Sequence, residues 1–325
     1  MNSFEYASPR TIAGALEVLD NDSVILAGGT DLLSLMKEGL VAPKRVVNIK
    51  EIDELKGINV GEDGSVTIGA LVTLEEVLES PDLAELCPSV VEAAAGVRSP
   101  QIQSVGTVAG DLCQRPRCWY YRNGFGLTAM KDGKSLARDG DNRYHAILGN
   151  DGAALFVNPS SLAPALIALD AKISIVGKSG SREVALADFF QTPSSDQEKE
   201  YKLEAGEILT AITIPSPAGK KVATYEIREK QALDWPLTAA AVAIEMNGDQ
   251  VSAAKVVLGH VAPVPWVSAE AGAALAGKQV TAESAAAAGD AAVKSAKALS
   301  KNGFKIQLAR VAVKRAVLRA AGMEV

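Results

Sequence analysis

AGGTDLLSLMK, residues 27–37, follows the apolar run VILA (residues 24–27) and precedes a second run, RVVNI (residues 45–49). The two runs predict buried strands, and LLSLMKEG predicts a short helix closed by Gly39. A strand, a helix and a strand in this order predict a small parallel βαβ unit.

The two glycines at the start of this motif, Gly28 and Gly29, let the backbone turn tightly and approach a ligand without a Cβ clash. The helix that follows directs free N–H groups and a positive dipole end at the loop, which suits a pyrophosphate. An ordinary strand-to-helix turn explains the spacing equally well. The motif matches neither GxGxxG nor GxxxxGK[ST], so the standard Rossmann and P-loop interpretations are weak.

A second glycine-rich motif, VGTVAGDLC, spans residues 105–113. Its two glycines, Gly106 and Gly110, bracket Thr107 and Asp111. Taken alone, the motif is explained more simply by a bulged strand or by close packing than by ligand binding.

The chain divides into three predicted regions: residues 1–55, residues 56–216 with an irregular insert at 114–150, and residues 217–325 after the linker PSPAGKK. In the first region, Ser8 and Pro9 predict the start of a helix. In the second, LEEVLESPDLAELCPSVVEAAAGV predicts helix interrupted at Pro81 and Pro88. ALFVNPS, KISIVG and EILTAITI predict strands, and the third region predicts three antiparallel strands followed by three helices.

The composition excludes several classes of protein. The formal net charge of -6 argues against a nucleic-acid surface. Three sparse cysteines suit a reducing compartment better than a disulfide framework. No apolar run is long enough to cross a bilayer, and the N-terminal residues carry no secretory signal pattern. We therefore expect a cytoplasmic protein with no membrane contact, unless a partner's signal exports the assembled complex.

The order of motifs along the chain resembles the flavin subunit of molybdenum hydroxylases, the family of xanthine, aldehyde and carbon monoxide dehydrogenases. The matching blocks are AGGTDLL, IGALVTLEEV, SVGTVAGDLCQ, NPSSLAPALIALDA and VVLGHVAPVPWVSAEAGAALAGK. The resemblance covers essentially the whole chain. It implies an α+β protein: a two-subdomain FAD-binding α/β fold, similar to that of the vanillyl-alcohol oxidase and PCMH type, followed by an antiparallel sheet with helices similar to the CO dehydrogenase flavoprotein C-terminal domain.

The resemblance also implies cofactor contacts. The pyrophosphate would be lined by Leu26, Ala27, Gly28, Gly29, Thr30, Asp31 and Leu32. The flavin and its ribityl chain would be wrapped by Gly106, Thr107, Gly110 and Asp111, with further contacts from Ser160, Ser161, Ile208 or Leu209, and Lys230. Many relatives have Asn at the position of Asp111 and Asp at the position of Ser161. Asp111 accepts hydrogen bonds but cannot donate when ionised, and Ser161 retains a hydroxyl.

Some relatives hold an additional four-iron four-sulfur cluster on four cysteines in the insert. Cys118 matches the first of these cysteines and Ala154 the last, and no cysteine follows residue 118. A cluster needs about four thiolates, so we expect none here, and no zinc site on Cys113, Cys118 and His145. The aromatic and arginine residues of the insert (Arg115, Arg117, Trp119, Tyr120, Tyr121, Arg122) instead suggest a shield for the flavin or an iron–sulfur partner contact; a surface loop packed on itself is the alternative.

The function implied by the resemblance is electron transfer. A molybdopterin-binding large subunit would oxidise an aldehyde or N-heterocycle, and a small subunit with two-iron two-sulfur clusters would relay electrons to FAD in this chain. The external acceptor would be NAD, oxygen, a quinone or a ferredoxin. His145 and His260 leave little scope for acid–base catalysis and are expected to be structural, as no catalytic residue is needed in this chain. A stand-alone flavin dehydrogenase or oxidase and a flavin-free assembly subunit are the alternatives.

Overall fold

The computed structural model describes residues 1–230 and 233–325 and shows the α+β fold that the sequence predicts. Its strands are β1 (Glu5–Ala7), β2 (Ser23–Leu26), β3 (Arg45–Asn48), β4 (Ile58–Val60), β5 (Val66–Gly69), β6 (Met130–Lys131), β7 (Lys134–Ser135), β8 (Lys172–Gly177), β9 (Gly180–Ala185), β10 (Ile208–Ile214), β11 (Lys220–Ile227), β12 (Thr238–Asn247), β13 (Gln250–Gly259) and β14 (Trp266–Val267). Its helices are α1 (Ile12–Val18), α2 (Leu32–Lys37), α3 (Leu74–Glu79), α4 (Pro81–Leu86), α5 (Pro88–Gly96), α6 (Pro100–Gln103), α7 (Val108–Cys113), α8 (Trp119–Arg122), α9 (Leu136–Asp139), α10 (Ala163–Ala168), α11 (Leu186–Phe189), α12 (Ala269–Leu275), α13 (Ala282–Ala292) and α14 (Phe304–Ala320).

The first sheet confirms the predicted parallel βαβ unit. Its strand order is β1-β3-β2, and both strand pairs are parallel. The strand β1 adds an edge that the sequence did not predict. The predicted start of α1 at Ser8 was wrong, because Thr11 is the N-cap: its hydroxyl accepts from the Gly14 N–H at 3.1 Å, which leaves Pro9 outside the helix.

The second sheet is antiparallel, with the order β4-β5-β10-β8-β9. The predicted helical stretch between β5 and β8 divides at its prolines as expected, because Pro81 and Pro88 each occupy the first turn of a new helix, α4 and α5. Apolar side chains of α3, α5 and α10 join those of the sheet in one buried core.

The segment ALFVNPS, residues 154–160, was wrongly predicted as a strand. It runs extended but joins no sheet, because its backbone bonds to loops on either side. The Leu155 carbonyl accepts from the Ala146 N–H at 2.8 Å, and the Asn158 N–H donates to the Ala262 carbonyl at 2.8 Å. The segment therefore ties the insert to the loop after β13.

The third sheet has the order β11-β12-β13-β14 and carries the three predicted helices α12, α13 and α14 on its apolar side. Its first three strands are the predicted antiparallel ones, and the short strand β14 was not predicted. The insert rests against this part of the chain. The Asn302 amide donates to the carbonyls of His145 and Ala146 at 3.2 and 3.1 Å, and the Asn142 carboxamide oxygen accepts from the Lys301 N–H at 2.8 Å. The insert is therefore held by buried polar contacts and is not a free surface loop.

The two histidines lie where the insert meets the third sheet, and each is 3% exposed. Burial, together with nearby Lys305, lowers the pKa of His145 to about 4 and that of His260 to about 3. Both imidazoles are therefore neutral in the folded protein near pH 7.

These buried imidazoles make the protein sensitive to mild acid. Below about pH 6.5 the unfolded chain protonates both rings, whereas the folded chain keeps them neutral down to about pH 4 and pH 3. The free energy of unfolding should fall as pH falls through this window, by about 1.4 kcal/mol per pH unit for each ring. Urea unfolding at pH 7, 6 and 5 measures the slope, and His260→Asn should reduce it; an equal stability at pH 7 and pH 5 would contradict the assignment.

Candidate functional site

The two glycine-rich loops lie against each other, backbone to backbone. A Cβ added to Gly28 would come within 1.8 Å of the Val105 carbonyl oxygen. A Cβ added to Gly106 would lie 2.6 Å from the Ile102 carbonyl oxygen, and Gly29 has φ +74°. Gly28 is thus needed for contact between the loops, Gly106 for close packing against the preceding turn and Gly29 for its positive φ. The contact at Gly28 brings the two motifs into one site.

The second loop is the start of a helix and not a bulged strand. The Thr107 hydroxyl caps α7 by accepting from the Gly110 N–H at 3.1 Å. The Gly106 carbonyl accepts from the Leu74 N–H at 2.9 Å, and Val108 N–H donates to the Val72 carbonyl at 2.8 Å. These bonds fix the loop to the second sheet and to α3.

A cavity of about 320 Å³ opens beside the two loops, and we call it the glycine-loop cavity. It falls in the size range of small-molecule and cofactor sites. Its lining includes six of the residues predicted from the sequence: Thr30, Gly106, Thr107, Gly110, Asp111 and Ser161. Three blocks that lie far apart in the sequence therefore meet at one cavity.

The other predicted residues take different places. Those of the first loop (Leu26, Ala27, Gly28, Gly29, Leu32) are partly buried around its turn, next to the second loop. Leu209 is buried within β10, and Ile208 beside it belongs to the core. Lys230 is exposed and lines a neighbouring cavity.

Asp111 is buried and surrounded by donors from the protein itself. Its carboxylate accepts from the Gln114 amide at 2.9 Å, the Leu162 N–H at 3.0 Å and the Ser161 N–H at 3.4 Å, and from the Ser160 hydroxyl in a short contact. Burial raises the pKa of this carboxyl, and the surrounding donors oppose the shift. Asp111 and the serines thus join α7 to the start of α10.

Asp31, at the start of α2, binds the insert. Its carboxylate accepts from the Arg115 N–H at 2.8 Å and from the guanidinium groups of Arg122 and Arg117 at 2.8 and 2.9 Å. Two guanidinium groups meet one carboxylate here, so this edge of the site keeps an excess of positive charge. Positive charge beside the first glycine loop favours an anionic ligand.

One nitrogen of the Arg117 guanidinium is buried without a hydrogen-bond partner among the described residues. The NH2 of this side chain donates to the Gln114 carboxamide oxygen at 2.8 Å, and the guanidinium lies 4.7 Å from the centre of the Trp235 ring. The nitrogen without a partner among the described residues is Nε. A buried donor without a partner costs about 1–3 kcal/mol, which a ligand acceptor would recover.

Sequence reasoning missed several residues of the cavity. Arg98 and Arg228 line it, together with the segment Leu233–Pro236. Arg228 forms a short ion pair with the buried Glu226, beside Gly96. None of these residues lies in a glycine motif, and the only signal was the presence of arginines at the ends of α5 and β11 in an acidic chain.

Comparison with known proteins identifies this arrangement. Residues 2–217 match the family described as the FAD binding domain in molybdopterin dehydrogenase. The chain belongs to this family. Residues 223–320 match the CO dehydrogenase flavoprotein C-terminal domain.

Individual relatives agree with the family match. The chain is 31% identical to the FAD-binding subunit of the aldehyde oxidoreductase of Escherichia coli (strain K12), over 88% of this chain and 87% of the relative. It is 29% identical to the carbon monoxide dehydrogenase medium chain of Hydrogenophaga pseudoflava, over 89% of this chain and 86% of the relative.

Solved structures show the same fold. The carbon monoxide dehydrogenase of Hydrogenophaga pseudoflava that lacks the Mo-pyranopterin moiety contains a chain with a TM-score of 0.77 and 27% identity, covering 99% of this chain and 98% of that one. The reconstituted enzyme of Oligotropha carboxidovorans gives a TM-score of 0.77 at 27% identity, covering 99% of both chains.

The residues present fit FAD, the cofactor of this family. The cavity combines a glycine cradle, in which a Cβ would collide with backbone, with three arginines and the unpartnered Arg117 Nε. These are donors for a diphosphate. In the described part of the chain, no group of three or more His, Cys, Asp or Glu residues is arranged to hold a metal ion, and no helix is long and apolar enough to cross a membrane.

The contact between the loops predicts the effect of Gly28→Ala. The added Cβ would overlap the Val105 carbonyl, so we expect a loss of about 1–3 kcal/mol in unfolding free energy and a reduced FAD content. Gly152→Ala is the matched control, because no atom lies within 4 Å of its added Cβ, and it should change stability by less than about 0.5 kcal/mol. Equal stability of the two variants in urea unfolding would refute the loop contact.

Proposed function

We propose that this chain is the FAD-binding electron-transfer subunit of a molybdenum hydroxylase complex and that the glycine-loop cavity holds its FAD. The observation that carries the assignment is the convergence of both glycine loops, the serine block and Arg117 on one cavity. Membership of the FAD-binding family supports it.

The two glycine loops would share the cofactor. The loop Leu26–Leu32 would face the diphosphate, with Thr30 as a hydroxyl contact and the unpartnered Arg117 Nε as a charged donor. The second loop, with Gly106, Thr107 and Gly110, would enclose the flavin and ribityl chain, and Ser161 would add a hydroxyl. Leu209 and Lys230 stay predictions from the family resemblance, because neither of them lines the glycine-loop cavity.

Asp111 and Ser160 would make their hydrogen bonds mainly within the protein and not to the cofactor. Their hydrogen bonds to one another and to the start of α10 consume the acceptors that a ribityl hydroxyl would otherwise use. They would thus position the second loop. This arrangement also explains how the family's Asn can be replaced by Asp at this site.

The chemistry divides between cofactor and protein. Bound FAD accepts and releases electrons singly or in pairs, so the chain needs no nucleophile or general base of its own. The chain's residues bind the diphosphate, fix the ring by packed loops and exclude water from the buried side. A stand-alone dehydrogenase would need a substrate acid–base group, whereas both histidines are neutral and buried.

The partners would be a molybdopterin-binding large subunit and a small subunit with two-iron two-sulfur clusters. Relatives carry the names medium chain and FAD-binding subunit, which supports a place in a multi-subunit enzyme. The substrate would be an aldehyde or N-heterocycle oxidised in the large subunit. We expect the complex to work in the cytoplasm, or in the periplasm if a partner exports it.

An absorption spectrum of the anaerobically purified chain tests the assignment. Flavin bands, about one acid-released FAD per chain and no iron would agree with the proposal. A chain that stays colourless after FAD is added would refute it and favour a flavin-free assembly subunit. Bound iron and sulfide would contradict the expectation that the insert holds no cluster.

Arg117→Met tests the diphosphate contact. Loss of a charge-assisted hydrogen bond costs about 1.5–3 kcal/mol, so the Kd for FAD should rise by about ten- to a hundredfold. Arg143→Met is the matched control in the same insert, because Arg143 is exposed and its described contacts, with Asp141 and the Tyr144 ring, lie outside the glycine-loop cavity. Fluorescence titration of FAD-free chains measures both. The same Kd for Arg117→Met as for wild type would show that the diphosphate lies elsewhere.

A further inference from the structure

A second cavity of about 350 Å³ adjoins the glycine-loop cavity, and we call it the histidine cavity. It lies between the insert and the third sheet, and His145, His260 and Lys305 belong to its lining. The two cavities share Arg117 and the segment Asp234–Pro236 as a common wall. A molecule in either cavity would therefore be separated from the other by single side chains.

Four aromatic side chains line the histidine cavity. Trp119 and Tyr144 meet edge to face at 5.4 Å between ring centres, and Phe156 and Trp235 supply further rings. The Tyr144 hydroxyl donates to Glu229 at 2.7 Å, which fixes that ring at the mouth. Rigid aromatic walls suit a flat ring system.

The buried end of the cavity holds an imidazole nitrogen without a hydrogen-bond partner in the described chain. The Cys118 sulfur lies 3.2 Å from Nε2 of His145. Burial raises the pKa of the thiol and lowers that of His145 to about 4, so both groups are neutral and the pair is not a thiolate–imidazolium nucleophile. If the S–H donates to Nε2, the ring proton lies on Nδ1, which is buried and has no partner in the described chain.

His260 adds a second ring nitrogen without a hydrogen-bond partner among the described residues, and Lys305 adds a buried ammonium group. Nε2 of His260 is buried without a hydrogen-bond partner among the described residues. The Lys305 ammonium donates to the carbonyls of Tyr144, His145 and His260 at 3.2, 3.1 and 2.8 Å. Burial lowers the pKa of Lys305 to about 7, whereas three acceptors for three N–H groups favour the charged form. Lys305 forms no ion pair within residues 1–230 and 233–325, so the field at this end favours oxygen atoms with negative charge.

We propose that the histidine cavity binds a small planar ring compound with carbonyl or ionised oxygens, a quinone, and that it is the electron-acceptor site of this subunit. The aromatic walls would contact the ring. Nδ1 of His145 and Nε2 of His260, in the neutral tautomers that carry the proton on these nitrogens, would donate to its oxygens. The role of this cavity as electron-acceptor site rests on the proposed function, whereas the binding of a quinone in it does not. A quinone that becomes a hydroquinone takes up two electrons and two protons, which is what reoxidation of a two-electron-reduced flavin releases.

Equilibrium dialysis with duroquinone tests the binding directly. All ring carbons of this quinone are substituted, so thiol addition by Cys118 does not compete. Durene, a benzene ring with the same four methyl groups and no oxygens, is the control ligand. We expect one duroquinone per chain, in the presence and in the absence of FAD, bound at least about tenfold more tightly than durene. Equal affinity for the two would overturn the role of the polar end.

Two variants locate the ligand. His260→Asn removes the imidazole but keeps the backbone, because His260 has φ +61° and Asn tolerates this region. Val157→Trp fills the cavity, and Val267→Trp, at an exposed position on β14, is the matched control. Both cavity variants should weaken duroquinone binding by about tenfold or more and leave the Kd for FAD within about twofold. Unchanged duroquinone binding in both would overturn the proposal.

Competition distinguishes this proposal from the flavin assignment. If FAD displaces duroquinone, the quinone occupies the glycine-loop cavity and the second site is refuted. If FAD binds and duroquinone does not, the proposal for the histidine cavity is refuted and the flavin assignment stands. If duroquinone binds to a chain that does not take up FAD, the cavity is confirmed as a binding site, and the acceptor role falls with the flavin assignment.

Discussion

The organisation of the site depends on the hydrogen bonds and ion pairs between the Asp31 carboxylate and the arginines of the insert. Asp31 sits at the start of α2, directly after the first glycine loop, and accepts from the insert through Arg115, Arg117 and Arg122. Without it, two guanidinium groups would lie close together with no counter-charge. Because Asp31 is 14% exposed in its side chain, this pairing is protected from full solvent screening and orients Arg117 between the two cavities.

Several features follow from that arrangement. Arg117 stacks on Trp235 and bonds to Gln114, so the insert, α7 and the segment after β11 meet at one side chain. The insert is in turn fixed to the C-terminal helices by Asn302 and Lys305. A charge pair at the first loop is thus coupled, through buried polar contacts, to the third sheet more than a hundred residues away in sequence.

Much of the fold could be predicted because its signals are local. Apolar runs such as VILA and KISIVG form strands, and Pro81 and Pro88 begin new helices at the predicted positions. The failures were also local in origin. ALFVNPS has a strand-like composition, but the loops around it take its hydrogen bonds, and Thr11 competes successfully with Ser8 as the helix cap.

The sequence predicted only the site residues that lie in recognisable motifs. Both glycine loops were found, but Gly28 is needed for contact with the Val105 carbonyl of the second loop before any ligand, which spacing cannot show. Asp31 was expected to line a pyrophosphate, and its arginine partners lie about 85 to 90 residues further along the chain. Arg98 and Arg228 were missed because only the tertiary structure brings α5 and β11 to the cavity.

A crystal structure of the chain reconstituted with FAD tests the central claim most directly. The account predicts density for the diphosphate between the two glycine loops, with an oxygen within hydrogen-bond distance of Arg117 Nε. It also predicts that the histidine cavity stays free of flavin. A flavin ring among Trp119, Tyr144 and His260, or a diphosphate away from both glycine loops, would contradict the account.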